Sequence, residues 1–247
     1  MKFSLIVLCA AIGALQATPD NRIINGEEAY DGQFPYIVSI RNVQEVMHIC
    51  GASILDESTI LTAAHCVYGV SPYVMTVIAG TISPDLGGGQ ERQVSYYTIH
   101  EYYNPSNLDN DIAIIKLETP LTIGPNVQPV LLPIDSIVGN MNVILSGWGM
   151  TSYPVGQSPE ILQFMYMRTV ELDECRKRHS TKVLDSHVCT FIADGQGVCH
   201  GDSGGPLVDT YGYQVGIVSW AIPCAVGYPD VFTRVYSFLD WIQTHRY

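Results

Sequence analysis

Positive charge is what this sequence has least of. Its 247 residues carry 12 Lys and Arg against 24 Asp and Glu, a formal net charge of −12. A nucleic-acid binder needs a Lys/Arg footprint to displace counterions from phosphates, so no nucleic-acid partner is expected. Docking on anionic lipid is disfavoured for the same reason. Charge of either sign is sparse at 15%, while hydrophobic residues reach 47%, which excludes a disordered acidic chain. No apolar run approaches the roughly 20 residues that span a bilayer, so no membrane partner is expected either. No Asn-x-Ser/Thr sequon occurs, because Asn104-Pro105-Ser106 is disqualified by its proline. The C-x₂-C spacing of structural zinc sites is missing. There is no internal repeat, charge block or low-complexity tract.

Seven cysteines are present, an odd number for a secreted chain. The N-terminus accounts for the odd one. Lys2 supplies a positive charge, Phe3 to Leu15 is uncharged, and Ala14-Leu15-Gln16-Ala17 offers a small residue at a cleavage point. That layout predicts a secretory signal peptide over residues 1–17, which removes Cys9. Six cysteines remain for an oxidising compartment, where disulfides persist. The mature product is therefore expected to be soluble and extracellular. Thr18 to Arg22 then precede Ile23-Ile24-Asn25-Gly26. A lone Arg before an Ile pair reads either as a loop into the first strand or as a processing site that frees Ile23. Cleavage there would leave 225 residues with ten basic and 23 acidic side chains, a net charge of −13.

The rest reads as all-β. Short runs rich in β-branched residues occur at Tyr36 to Ile40, Ser53 to Leu55, Tyr73 to Ala79, Ile112 to Leu117, Met141 to Ser146 and Val215 to Trp220. Gly, Pro, Asn and Asp clusters separate them, at a spacing suited to barrels or sandwiches. Leu121 to Pro133 carries three prolines and reads as a connection between two halves. Only the end of the chain has a helical period, with Val235, Phe238, Leu239 and Ile242 on one face.

Three segments carry chemistry. Thr62-Ala63-Ala64-His65-Cys66 places a His beside a Cys. Asp109-Asn110-Asp111 opens an apolar strand with acid. Gly201-Asp202-Ser203-Gly204-Gly205 sets a Ser among glycines. Singly, each has an ordinary structural explanation: a His near a disulfide, a strand cap, a turn. Together they supply a hydroxyl nucleophile, an imidazole base with a pKa near neutrality, and a carboxylate to hold the imidazole's tautomer. The glycines let backbone amides converge on one point, where the N–H groups of Gly201 and Ser203 could bind an oxyanion.

With GDSGGP, TAAHC, SGWG and DIAIIKL in one chain, the sequence resembles the chymotrypsin/trypsin family of serine endopeptidases from Ile23 to Tyr247. The resemblance implies two six-stranded antiparallel Greek-key barrels, over 23–128 and 129–234, and a C-terminal helix over 235–247. It implies that His65 is the general base, Asp111 its orienting partner, Ser203 the nucleophile, and Gly201 with Ser203 the oxyanion hole. Asp111 is favoured over Asp109 because it directly precedes the Ile-Ala-Ile strand. The resemblance also implies a zymogen with an 18–22 propeptide. Cleavage after Arg22 would free the Ile23 α-amino group to pair with Asp202, and a trypsin-like protease would be the activator. Three disulfides are carried over in the same way: Cys50–Cys66, Cys175–Cys189 and Cys199–Cys224. No cofactor and no metal are expected. The loop after Gly80 lacks the acidic residues of calcium-binding members.

The specificity pocket is likewise read by resemblance. Gly197 is the floor, where trypsin-like members carry Asp. Val198 lies beside it, and Ser219, Trp220 and Ala221 form a wall that the Ala221 methyl narrows slightly. Asp230 faces the pocket from the opposite wall, where most vertebrate members have Gly. Either Asp230 bonds locally and the pocket is an apolar slot, or it reaches the cavity and tolerates Arg or Lys. His200 sits at the rim. The Gly floor with an opposing Asp, and the Gly227-Tyr228-Pro229-Asp230 run, resemble broad-specificity collagenolytic members of arthropods. The expected enzyme is a monomer that cleaves protein substrates after large apolar residues with a broadened profile, in a gut lumen. It is open to protein inhibitors. An elastase-like slot, a regulatory or venom role, and a non-catalytic protease-like binding protein are the competing readings.

Overall fold

A computed structural model describes residues 26–44, 47–152, 156–179, 183–222 and 224–247. The expected signal peptide, Arg22 and Ile23 lie outside the described residues. Among the described residues no helix is long and apolar enough to cross a membrane.

Two closed six-stranded antiparallel barrels make up the body. The first contains β2 (Ile37–Asn42), β3 (Met47–Asp56), β4 (Thr59–Thr62), β5 (Met75–Ala79), β6 (Gln90–Ile99) and β7 (Ala113–Leu117), closed in the order β2-β3-β4-β7-β6-β5. Its strands turn Val38, Ile40, Ile54, Ile60, Met75, Ile114 and Ile115 into a core where each is at most 1% exposed. β-branched side chains suit this pleated, two-sided burial. The second barrel contains β8 (Asn142–Gly147), β9 (Gln163–Val170), β10 (His187–Thr190), β11 (Pro206–Asp209), β12 (Gln214–Trp220) and β13 (Asp230–Arg234). Its ring runs β9-β10-β13-β12-β11-β8 and closes through the β8–β9 pairing, around Leu145, Met167, Leu207, Val218 and Phe232. Residues 118–141 form no strand and join the two barrels, as the proline-rich run predicts.

The chain ends cross over. The N-terminal strand β1 (Glu27–Glu28) pairs with β9 of the second barrel, with Glu27 opposite Phe164. At the other end, Val235, Phe238 and Ile242 join the core of the first barrel. The Arg246 carbonyl accepts from Lys116 Nζ at 2.6 Å, and Arg246 Nη2 donates to the Leu55 carbonyl at 3.0 Å. Each barrel is thus held by a terminal segment that belongs, in sequence, to the other.

The C-terminal helix differs from the expected 235–247 span. A 3₁₀ turn at Val235–Phe238 comes first, then α2 (Leu239–His245). Val235 and Phe238 are both buried, and three-residue spacing puts them on one face of a tighter helix. A second helix, α1 (Leu172–Arg178), is not signalled by periodicity, because its two turns bury only Cys175. Its charges do suit a helix, with Asp173 and Glu174 in the first turn and Arg176, Lys177 and Arg178 in the last.

The three disulfides are Cys50–Cys66, Cys175–Cys189 and Cys199–Cys224. The first ties β3 to the turn after β4. The second ties α1 to β10. The third bridges two loops of the second barrel.

The barrels meet along a seam with little room. Gly51 N–H donates to the Ser203 carbonyl at 2.8 Å, and Ser53 Oγ donates to buried Gln214 Oε1 at 2.6 Å. A Cβ on Gly51 would lie 2.8 Å from Gly205 Cα, against backbone that cannot rotate away. Gly51→Ala is therefore expected to lose about 1–3 kcal/mol of stability by overpacking the seam. Urea unfolding of the variant, compared with Gly124→Ala, where a Cβ meets nothing within 4 Å, checks this; equal midpoints would contradict it.

Candidate active site

His65 sits in a 3₁₀ turn, Ala64–Cys66, at the end of β4, with its neighbour Cys66 bonded to Cys50. Asp111 lies just before β7, whose Ala113 is in register with Thr62 of β4. This pairing of adjacent strands brings the two side chains together. His65 Nδ1 is 2.7 Å from Asp111 Oδ2, and His65 N–H donates to Asp111 Oδ1 at 2.9 Å. The second barrel supplies two more bonds. Ser219 Oγ donates to Asp111 Oδ2 at 2.6 Å, and Thr233 Oγ1 donates to the Asp111 carbonyl at 2.8 Å. Asp111 is fully buried. With Nδ1–H engaged by a carboxylate, Nε2 is the ring nitrogen left to exchange a proton. Asp111, not Asp109, takes this position.

Ser203 arrives from the second barrel, on the turn that leads into β11. The seam bond from Gly51, beside Cys50, holds its carbonyl close to the turn that carries His65. Among the described residues, the amides of Asp202, Gly204 and Gly205 donate to the carbonyls of Cys199, Val218 and Asp202. The amides of Gly201 and Ser203 donate to none of the described acceptors. Gly201 has φ +101, a conformation that favours glycine, and a Cβ there would crowd Gly149 at 3.1 Å. Two donors beside the hydroxyl are thus left without an acceptor of their own.

His48 is a site residue that sequence reading missed. Its Nε2–H donates to the Gly201 carbonyl at 2.8 Å, and its Nδ1 accepts from Ser39 Oγ at 2.7 Å. It packs against Trp148, with ring centroids 5.4 Å apart. Burial lowers its pKa, so it stays neutral and keeps this donor–acceptor pattern. His48 carries no motif of its own; it is 153 residues from its partner.

Beside Ser203 a cavity of about 80 Å³ is lined by Val198, Cys199, Val218, Ser219, Trp220, Ala221 and Cys224, with His200 at its rim. Val198, Ser219, Trp220 and Ala221 line it, whereas the expected floor Gly197 and opposite-wall Asp230 do not. Gly197 and Asp230 lie together just behind Val198. Asp230 is 3% exposed, and its Oδ2 accepts from Val198 N–H at 3.1 Å. A Cβ on Gly197 would come within 2.5 Å of that oxygen. The Asp230 carboxyl therefore fills the space a floor side chain would need. Burial, and secondarily the field of Asp202, push its pKa up to about 8.

Asp202 is also fully buried. Its oxygens accept from Gly149 N–H and Cys199 N–H, both at 2.9 Å, and burial raises its pKa to about 6. Gly147 and Gly149 leave it room, since a Cβ on either would run into the carboxyl. Cys50, His65 and Cys66 place ligand-type atoms close together, but the two sulfurs are bonded to each other and offer no thiolate to a metal.

A sequence model of the trypsin family matches residues 23–242. The chain is 42% identical to chymotrypsin-2 of Vespa crabro over 227 residues, covering 91% of this chain and 100% of the relative. It is 39% identical to trypsin-1 of Astacus astacus over 236 residues, 90% of this chain and 99% of that protein. Trypsin II-P29 of Gallus gallus is 34% identical over 251 residues, 98% of each chain. A match of this length, on a double barrel whose seam sets the His65–Asp111 pair near the turn that carries Ser203, means that the chain belongs to the trypsin family and is a serine endopeptidase.

Proposed function

We propose that the protein is a secreted digestive endopeptidase, made as a zymogen, that cleaves after large apolar residues. Ser203 is the nucleophile, His65 the base, and Asp111 the group that orients it. The observation that carries this reading is the pair of amides, Gly201 N–H and Ser203 N–H, left without a described acceptor near a half-buried His65 bonded to buried Asp111. Ser203 Oγ attacks the scissile carbonyl carbon while its proton passes to His65 Nε2. The carbonyl oxygen gains the charge, and the two amides hold it in a water-poor site. His65 then gives the proton to the departing amine, leaving an ester on Ser203. Water attacks that ester, with His65 again as base. Asp111 remains a carboxylate throughout and keeps the imidazole proton on Nδ1. This sequence of steps is the family's own.

An apolar preference is supported by the cavity walls, none of which is charged. The name chymotrypsin-2 on one relative agrees with it, while two others are named trypsins. Asp230 supports a broadened profile. Its carboxyl has one described hydrogen-bond donor, Val198 N–H, and stands where a floor side chain would be. Below its pKa of about 8 it is neutral and the pocket is an apolar slot. Above it, the carboxylate can answer an Arg or Lys side chain.

Asp202, buried and without a cationic partner among the described residues, supports the zymogen reading. A buried carboxylate is costly without a partner. An α-ammonium freed at Ile23 by cleavage after Arg22 would supply one.

An organophosphonate is expected to label Ser203 of the cleaved chain, and His65→Ala to lower kcat by about 10²–10⁴-fold with little change in KM. A cleaved chain that does not label would favour a binding protein. On peptides differing only before the scissile bond, the Arg:Phe ratio of kcat/KM should rise with pH as Asp230 ionises, at or below the pKa of about 8 that it has in the uncleaved chain, because ionisation supplies the counter-charge. Taking the ratio cancels pH effects that the two substrates share. Asp230→Gly should flatten the profile; an unchanged ratio in that variant sinks the charged-pocket reading. Activation gives a third expectation. The purified precursor should stay inactive alone and become active when a trypsin-like protease cuts after Arg22. Efficient self-activation would count against the apolar preference.

A further inference from the structure

The α1 helix has no part in the chemistry above, yet its end grips the pocket from behind. Arg178, its last residue, donates from Nη2 to the Gly227 carbonyl at 2.7 Å. The same guanidinium lies flat against Phe191, 3.9 Å from the ring centroid. His179, the next residue, donates from Nε2 to the Pro229 carbonyl at 2.8 Å. Its ring meets Trp220 edge-on, with centroids 4.9 Å apart. These contacts bracket Asp230. Pro229 precedes it, and Phe191 follows Thr190, which pairs with Asp230 across β10 and β13.

The gripped loop needs holding. Cys224 and Ala225 have φ of +41 and +63, and Gly227 has φ +89. Left-handed backbone at two non-glycine residues persists only where the surroundings over-determine it. Val226 and Tyr228 are exposed, and the Tyr228 ring itself leans on His179, with centroids 5.9 Å apart. The grip, by contrast, starts from a fixed base. Cys175–Cys189 ties α1 to β10, and both sulfurs are buried. A charged donor on a carbonyl is stronger than a neutral one, and a cation over an aromatic face adds to it.

We propose that Arg178, assisted by His179, is a specificity-determining positioning residue. It fixes the Gly227–Pro229 backbone, and through it Asp230 and the Trp220 wall, so that the pocket holds a large side chain in register with Ser203. This rests on the reading of the cavity beside Ser203 as the substrate pocket. Arg178 touches no reacting atom, so its loss acts on binding of the side chain and not on the attack of Ser203.

The test uses the full chain, cleaved after Arg22, with Arg178→Ala, Arg178→Lys and Phe191→Leu. Peptide amides carrying Phe or Ala before the scissile bond are compared, together with the rate at which a small organophosphate, too short to fill the pocket, labels Ser203. In Arg178→Ala the KM for the Phe peptide should rise about tenfold, while kcat and the Ala peptide change by less than about twofold. The labelling rate should stay at the parent value. Arg178→Lys should recover part of the loss, because it keeps the charge but not the planar face for Phe191. Phe191→Leu removes that face alone and should show a smaller shift of the same kind, which keeps the test decisive if Arg178→Ala does not fold. Equal losses on both peptides, or a slowed labelling rate, would mean a merely structural role and overturn the proposal. So would an unchanged Phe:Ala ratio. A parent enzyme that does not separate Phe from Ala would instead overturn the pocket reading, and that is seen before any variant is made.

Discussion

The bonds around one buried carboxylate join the two halves of this protein. Asp111 takes two hydrogen bonds from His65, in the first barrel, and one from Ser219, in the second. Its carbonyl takes a further bond from Thr233. No single barrel satisfies it. Stripped of either set of donors, a fully buried carboxylate would pay several kcal/mol in desolvation. The barrels are therefore held in one relative position by the group that also orients the imidazole. Catalytic geometry and inter-barrel geometry are the same constraint.

The rest of the architecture protects that constraint. β1 lies on the second barrel and α2 on the first, so sliding one barrel along the other would disturb both terminal segments. Gly51 against Gly205 allows backbone to approach backbone at the seam, next to Ser203. The Cys50–Cys66 bridge then carries the position of β3 directly to the turn that holds His65. A chain of short connections runs from Ser203 through Gly51 and Cys50 to Cys66 and His65. None of its links depends on a long flexible side chain, which limits the entropy lost in placing the pair.

Much of this was legible in the sequence, and the parts that were not share a cause. His65, Asp111 and Ser203 stand in local motifs whose residue types only make sense together. The strand at Ile112 to Leu117 and the proline-rich join at Leu121 to Pro133 announce themselves by composition. Bonds between distant segments leave no such trace. His48 holding Gly201, and Ser219 reaching Asp111, cross 153 and 108 positions. Ser219 was legible as a pocket wall, but not as a carboxylate donor. α1 is too short for periodicity to register, and its functional contacts are made by the residues at its end. For Asp230 the sequence offers both a local bond and a reach into the pocket, but not that its partner is the Val198 amide or how deeply it is buried. Depth of burial is a property of the packed barrel and cannot be read from the residue alone.

That depth links the two acidic groups of the second barrel to each other. Asp202 has two described amide donors and a pKa of about 6; Asp230 has one and a pKa of about 8. Burial raises both, and the donor count orders them, since each N–H favours the ionised form. The charge on Asp202 raises Asp230 further. A cation delivered to Asp202, as the proposed cleavage after Arg22 would deliver it, offsets that charge and removes the repulsion. Activation would then do more than order the turn that carries Gly201 and Ser203. It would lower the pH at which Asp230 ionises, and so shift the pocket toward accepting a basic side chain. The precursor and the cleaved enzyme would differ in the electrostatics of the pocket as well as in the shape of the oxyanion site. Both differences would arise from one new positive charge in a protein that has few.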